Sequence, residues 1–168
     1  LPKYTFGFNF NLAWKGFDLS ANFTGAAGFQ IAQSYRDPSS SQANYSRRIL
    51  KRWTGEGTSN EIPRVTYGDV GNWLFSDLYL QDGDYIRLQN LTMGYDFKKL
   101  ISWKGLSKMR LYFQVQNLFT LTKYDGMDPE IGSFNGTDGN SSDSWVSGVD
   151  MGYYPHPRTF IVGLNLAF

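Results

Sequence analysis

From Tyr4 onward the chain alternates apolar and polar residues. Tyr4, Phe6, Phe8, Phe10 and Leu12 share one parity, with Thr5, Gly7, Asn9 and Asn11 between them. After the short turn Trp14-Lys15-Gly16 the pattern resumes at Phe17, Leu19, Ala21 and Phe23, with Asp18, Ser20, Asn22 and Thr24 opposite. Successive side chains of a strand point to opposite faces, so each segment has one greasy and one polar face. Two such strands joined by a tight turn read as a hairpin.

Alternation returns between Tyr85 and Phe97, where Leu91, Met93, Tyr95 and Phe97 share a parity and Ile86 and Leu88 take the other. That switch predicts a bulge or a change of environment near Gln89. Met109, Leu111, Phe113 and Val115 interleave with Arg110, Tyr112, Gln114 and Gln116, and the chain closes on Phe160, Val162, Leu164, Leu166 and Phe168. Five strands are expected, over about residues 3–13, 17–31, 84–97, 109–121 and 158–168, with no helix of useful length and no further repeat. Their connections run short, long, short, long. The long ones, about 32–78 and 123–157, are rich in Gly, Ser, Asn and Asp and far exceed ordinary hairpin loops.

Composition narrows what such strands can build. Aromatic residues make up 17% of the chain, yet its mean hydropathy is −0.40. No run approaches the ~20 apolar residues of a membrane-crossing helix. A transmembrane barrel needs none, because only alternate residues meet lipid. The strand lengths suit a tilted crossing, and short turns alternating with long loops match periplasmic and extracellular sides, which would put the C-terminus in the periplasm. Tyr4, Trp14, Phe17, Phe29, Tyr95, Phe97 and Phe168 sit near strand ends, as interfacial girdles require. A soluble β-sandwich, with a carbohydrate-binding aromatic platform, is the alternative; its greasy faces would bury against a second sheet. Five strands are too few to close a barrel, and a sheet with open edges is forbidden in lipid, so the expectation is the C-terminal part of a larger one. The start at Leu1-Pro2-Lys3, with no leader-like segment, fits that expectation. A formal net charge of +1 with scattered Lys and Arg gives no nucleic-acid footprint. The absence of cysteine excludes disulfide scaffolds and thiol catalysis, and the single histidine, His156, cannot build a metal site unaided.

Several segments resemble, in order, the SusC/RagA-like TonB-dependent transporters. They are Arg52-Trp53-Thr54-Gly55-Glu56-Gly57-Thr58 with Ile62-Pro63-Arg64, Leu80-Gln81-Asp82-Gly83-Asp84 running on to Tyr95, Gln116-Asn117-Leu118-Phe119 running on to Glu130, and Tyr154-Pro155-His156-Pro157-Arg158-Thr159. The resemblance covers essentially the whole chain. It implies an all-β antiparallel barrel of about 22 strands, of which these are the last five, carrying two long extracellular loops. It further implies a plug, energy supplied through TonB, a SusD-like surface lipoprotein as partner, and import of glycans or peptides across the outer membrane. Plug, TonB box and signal peptide are not among these residues. A passive or structural barrel without a plug is the remaining alternative.

Individual constellations are weaker. Trp53, Trp73, Trp145, Tyr153 and Tyr154, with Tyr35, Tyr45 and Tyr67, could stack on sugar rings or meet the lipoprotein, although long loops also order themselves with such side chains. Asp82-Gly83-Asp84 and residues 138–143 offer oxygen ligands, but turn chemistry explains them and no metal or other cofactor is expected. Asp125, Asp128 and Glu130 do not make a convincing acid–base pair, so no catalytic residue is assigned. The sequons at Asn22 and Asn90 fall inside expected strands. Pro155-His156-Pro157 reads as a rigid approach to the last strand. Thr159 to Phe168 alternates up to a final phenylalanine, like the signal read by barrel-assembly machinery, with Leu164, Leu166 and Phe168 as its anchors.

Overall fold

Phe8 faces Phe23 and Asn9 faces Asn22, and this pairing of like with like organises the molecule. The computed structural model describes residues 1–34, 47–65, 74–101, 103–131 and 148–168. The strands are β1 Tyr4–Trp14, β2 Phe17–Ala27, β3 Gln30–Gln33, β4 Leu80–Asp82, β5 Tyr85–Asp96, β6 Lys108–Thr122, β7 Val149–Asp150 and β8 Thr159–Ala167. The other regular segments among the described residues are short 3₁₀ turns at Arg47–Lys51, Asp77–Tyr79 and Phe97–Lys99. The chain divides into two units, one of residues 2–29, 83–123 and 155–168, the other of residues 1, 30–82 and 124–154.

The first unit is one antiparallel sheet in the order β1-β2-β5-β6-β8. Lys15 at φ 47 and Gly16 at φ 99 form the β1–β2 turn. Two positive φ values in succession match the right-handed twist of the flanking strands, which is why so short a hairpin closes here. Across the sheet, Leu12, Leu19, Met93, Phe113 and Val162 occupy one row, and Phe10, Ala21, Leu91, Val115 and Phe160 the next. The opposite face carries Asn11, Ser20, Thr92, Gln114 and Ile161, then Asn9, Asn22, Asn90, Gln116 and Thr159.

The parity switch in β5 has a structural cause. Asn22 pairs with Asn90 but Phe23 pairs with Leu88, so Gln89 is an extra residue against β2. Opposite β6, Leu88 meets Phe119 and Asn90 meets Gln116, which leaves Asn117 and Leu118 facing Gln89. Asn117 adopts φ 51, and its Nδ2 donates to the Pro157 carbonyl at 3.1 Å. The bulge keeps Ile86 and Leu88 on the same face as Leu91 and Met93 although their parity differs.

The second unit differs from the expectation of loops alone. The expected strand over 17–31 stops at Ala27, where Gly28 at φ +77 breaks the ladder. Gln30–Gln33 belongs instead to a three-stranded sheet in the order β4-β3-β7. Its β3–β7 pair is parallel, Ala32 opposite Val149, whereas every pair of the five-stranded sheet is antiparallel as expected. Only two to four residues long, these strands fall below the length at which alternation shows. Ile31, fully buried, is their apolar centre.

Candidate functional site

The polar face of the five-stranded sheet is cross-linked by its own side chains. Ser20 Oγ donates to Asn11 Oδ1 at 2.7 Å, and Asn22 Nδ2 donates to Asn9 Oδ1. Asn22 Oδ1 is buried without a hydrogen-bond partner among the described residues. Arg110 reaches Asp18 with two bonds, Nε to Oδ1 at 2.8 Å and Nη2 to Oδ2 at 2.5 Å. These residues stand on β6 and β2, so the pair passes over β5 at Gly94. A Cβ there would lie 2.6 Å from the guanidinium and 2.7 Å from the carboxylate, and glycine is what leaves room. The Arg110 guanidinium also lies 5.0 Å from the Tyr112 ring centroid, and the Tyr112 ring in turn covers Gly163.

A second guanidinium lies further along the same face. Arg87 is 3% exposed; its Nε donates to Thr120 Oγ1 at 2.9 Å and its Nη1 lies 3.3 Å from His156 Nδ1. With Asn117 holding Pro157, the segment Pro155-His156-Pro157 is tied to both β5 and β6 before β8 begins. Asp84 is likewise structural, since its Oδ1 accepts the N–H groups of Gly28 at 2.6 Å and Phe29 at 3.4 Å.

In the loop unit, Trp53 closes a small self-contained loop: its N–H donates to the Ile62 carbonyl at 2.9 Å. Within it, Thr58 Oγ1 accepts from the N–H groups of Thr54 and Gly55 and donates to the Gly55 carbonyl at 2.7 Å. The Trp53 ring is left partly open, 37% exposed. Tyr153 is half-buried and Tyr154 is 83% exposed. Trp73, Trp145, Tyr35, Tyr45, Tyr67 and the acidic stretch 138–143 lie outside the described residues. Sequence reading missed the organiser of this unit, Asp150, which is 1% exposed. Its Oδ2 accepts the Tyr124 hydroxyl at 2.5 Å, and its Oδ1 accepts the N–H groups of Gly152 and Tyr153 at 2.9 Å each. Tyr124 lies directly over Gly126. The Asp-x-Gly spacing at 150–152 was the available signal, as were the lone glycines inside strands for the Asp18–Arg110 pair. Asp128 is also buried and accepts the Glu130 N–H at 2.9 Å.

At the chain's end, Leu164 pairs with Leu111 and Leu166 with Met109, both on the apolar face. β8 ends at Ala167, and the Phe168 ring meets Trp103 edge-on at 6.3 Å. Among the described residues no three of His, Asp and Glu gather as a metal-binding group. What the geometry offers is a wall, greasy on one side and hydrogen-bonding on the other.

Comparison with known proteins bears on that wall. No family model matches the chain. TonB-dependent receptor P3 of Formosa agariphila is 36% identical over 99% of the chain and 16% of its own length. TonB-dependent receptor SusC of Bacteroides thetaiotaomicron is 30% identical over 96% of the chain and 15% of its own length. The chain therefore spans about a sixth of the relatives it matches. Among solved structures, that of the RagAB peptide transporter superposes with a TM-score of 0.72 at 25% identity, over 96% of this chain and 17% of that one. The RagAB peptide importer in its open-open state gives 0.73 at 24% identity over the whole chain. With an all-β fold shared with those importers and sequence similarity to named receptors along its length, the chain belongs to the SusC-like TonB-dependent receptors, of which it is a segment.

Proposed function

We propose that this segment forms wall strands of a nutrient-importing barrel in the outer membrane. The observation that carries the reading is the persistence of two opposed faces across all five strands, bulge included. Phe8 is 59% exposed, Met93 47% and Val162 72%, where a β-sandwich would bury such side chains under a second sheet. Eleven residues at about 3.3 Å each, tilted by about 45°, cross about 25 Å, the height of a barrel's apolar band. On this reading the short turns face the periplasm and the long connections are extracellular. The barrel has about 22 strands, imports glycans or peptides under TonB control, and is lidded by a SusD-like lipoprotein. The relatives are named as receptors, and no catalytic role is proposed.

Uptake by cells expressing the full-length protein tests this directly. Labelled oligosaccharide or oligopeptide should accumulate only when both the protein and TonB are present; accumulation that survives loss of TonB favours a passive barrel. The outward loops, with Trp53, Trp73, Trp145, Tyr153 and Tyr154, are proposed to meet the partner or cargo. Removing residues 135–144, which lie outside the described residues, should spare assembly but weaken co-purification of the lipoprotein.

A further inference from the structure

The rim of the sheet that carries the short turns has a charge imbalance that the strands do not require. Lys15 stands in the β1–β2 turn, and Lys98, Lys99 and Lys104 stand between β5 and β6. In those two connections and at their flanks the carboxylates are Asp18, paired with Arg110, and Asp96. Asp96 is engaged too, because its Oδ1 accepts the Lys98 N–H at 2.9 Å. The connections adjoin one another: Asp96 N–H donates to the Gly16 carbonyl at 2.8 Å, and Ser107 N–H to the Ala167 carbonyl at 2.7 Å.

Aromatic rings gather at the same level. Phe17 and Tyr95 are 4.4 Å apart, Tyr95 meets Phe97 edge-on at 5.0 Å, and Trp14 and Trp103 are 63% and 60% exposed. Two of the ammonium groups are held at the tryptophans, one over a ring and one on a backbone carbonyl. Lys15 Nζ lies 5.0 Å from the Trp14 ring centroid, and Lys98 Nζ donates to the Trp103 carbonyl at 2.8 Å. Amphipathic rings settle at headgroup depth, and lysine stems beside them carry their charge to the phosphates. A zwitterionic headgroup answers its own phosphate with its own ammonium. A lipid of net negative charge does not, and it is the one that a cluster of cations whose flanking aspartates are already engaged would select.

We propose that Lys15, Lys98 and Lys104, framed by Trp14 and Trp103, bind the headgroups of anionic phospholipids in the leaflet at the short-turn rim. The proposal rests on the membrane reading above and adds a lipid preference to it. The test equilibrates the full-length protein with equal amounts of phosphatidylglycerol and phosphatidylcholine and counts retained lipids by native mass spectrometry. Phosphatidylglycerol should be retained about tenfold over phosphatidylcholine, given the attraction of each lysine near an anionic surface. Lys15→Ser, Lys98→Ser and Lys104→Ser together should remove most of that preference, and the matching arginine variants should keep it. Lys104→Glu alone, on an exposed connection, should lower it measurably if the triple variant does not assemble. Equal retention by the wild type, or serine variants that retain phosphatidylglycerol like the wild type, overturns the proposal. Heat-modifiable migration in the same samples reports insertion, so a protein that inserts without lipid preference defeats this inference alone, and one that never inserts defeats the membrane reading with it.

Discussion

The two faces of the five-stranded sheet are built from neighbouring residues on the same strands, yet they are held by different means. The apolar face is a set of rows in which any bulky hydrocarbon serves: Leu12, Leu19, Met93, Phe113 and Val162 share one row without sharing a shape. The polar face depends on particular atoms, above all the two bonds from Arg110 to Asp18 over Gly94. A face defined by a property should tolerate exchange within that property and fail when it is reversed. A face defined by partners should fail when one partner loses its place.

The widest separation between them should come from one charge placed at two adjacent positions. Phe8 and Asn9 stand at the middle of β1 on opposite faces. Phe8→Arg should cost about 2–4 kcal/mol of folding stability in a bilayer, and Asn9→Arg a small fraction of that. Reversible unfolding of the full-length protein in lipid vesicles measures both, and equal costs would erase the distinction between the faces. Next in size is Gly94→Leu, which drives a side chain into the space of the Asp18–Arg110 pair. The expected loss is about 1–3 kcal/mol, as for other overpacked sites. Phe10→Leu, a change of shape within the apolar face, should fall well below it. Removing the charge without the crowding should matter less again: Arg110→Met leaves the partly exposed Asp18 unpaired and should cost up to about 1 kcal/mol. A larger loss would mean that the pair, not the space around it, holds the three strands together.

The smallest effect on stability is expected at Phe168. Its ring is 80% exposed and touches Trp103 at the sheet's rim. Deleting it should leave thermal unfolding of the inserted protein near normal. Surface abundance should nevertheless fall, because an assembly machine must grip the last strand before the barrel closes, and backbone pairing with an aromatic anchor suits that task. Wild-type abundance would show that the terminal ring is incidental.

The strands of the large sheet were legible because period-two alternation repeats over nine to fifteen residues, long enough for pattern to outweigh the accidents of single positions. The irregularity at Gln89 was legible for the same reason, since a broken pattern is visible only where a pattern exists. β3, β4 and β7 were not, because strands of two to four residues hold at most two alternations and their pairing joins distant positions, Ala32 with Leu80 and Ala32 with Val149. Asp150 escaped for a related reason: an aspartate two residues before a glycine reads as a turn, and nothing local says that a tyrosine at position 124 will share it. The cross-face bonds of Arg110 and Arg87 lie between these cases. Their strands and parity were readable, but the reach of Arg110 across β5 to Asp18 and of Arg87 to His156 was not.

The extra residues at the bulge carry a consequence for how such a sheet can change in length. Counting along one level, β2 spends no additional residue, β5 spends Gln89, and β6 spends Asn117 and Leu118. An odd insertion turns the remainder of its strand over, whereas an even one leaves it facing as before. In β5 a bulge absorbs the odd residue, Gln89, so that Leu88 stays among the hydrocarbon side chains and Arg87 beside Thr120. Excising Gln89 should restore unbroken alternation and leave both residues on the faces they now hold, whereas drawing Gln89 into a regular ladder would exchange them between oil and water. Growth and shrinkage along these strands is therefore tied to bulges: a single-residue step keeps the two faces only where a bulge takes up the odd residue, and a step of two needs none.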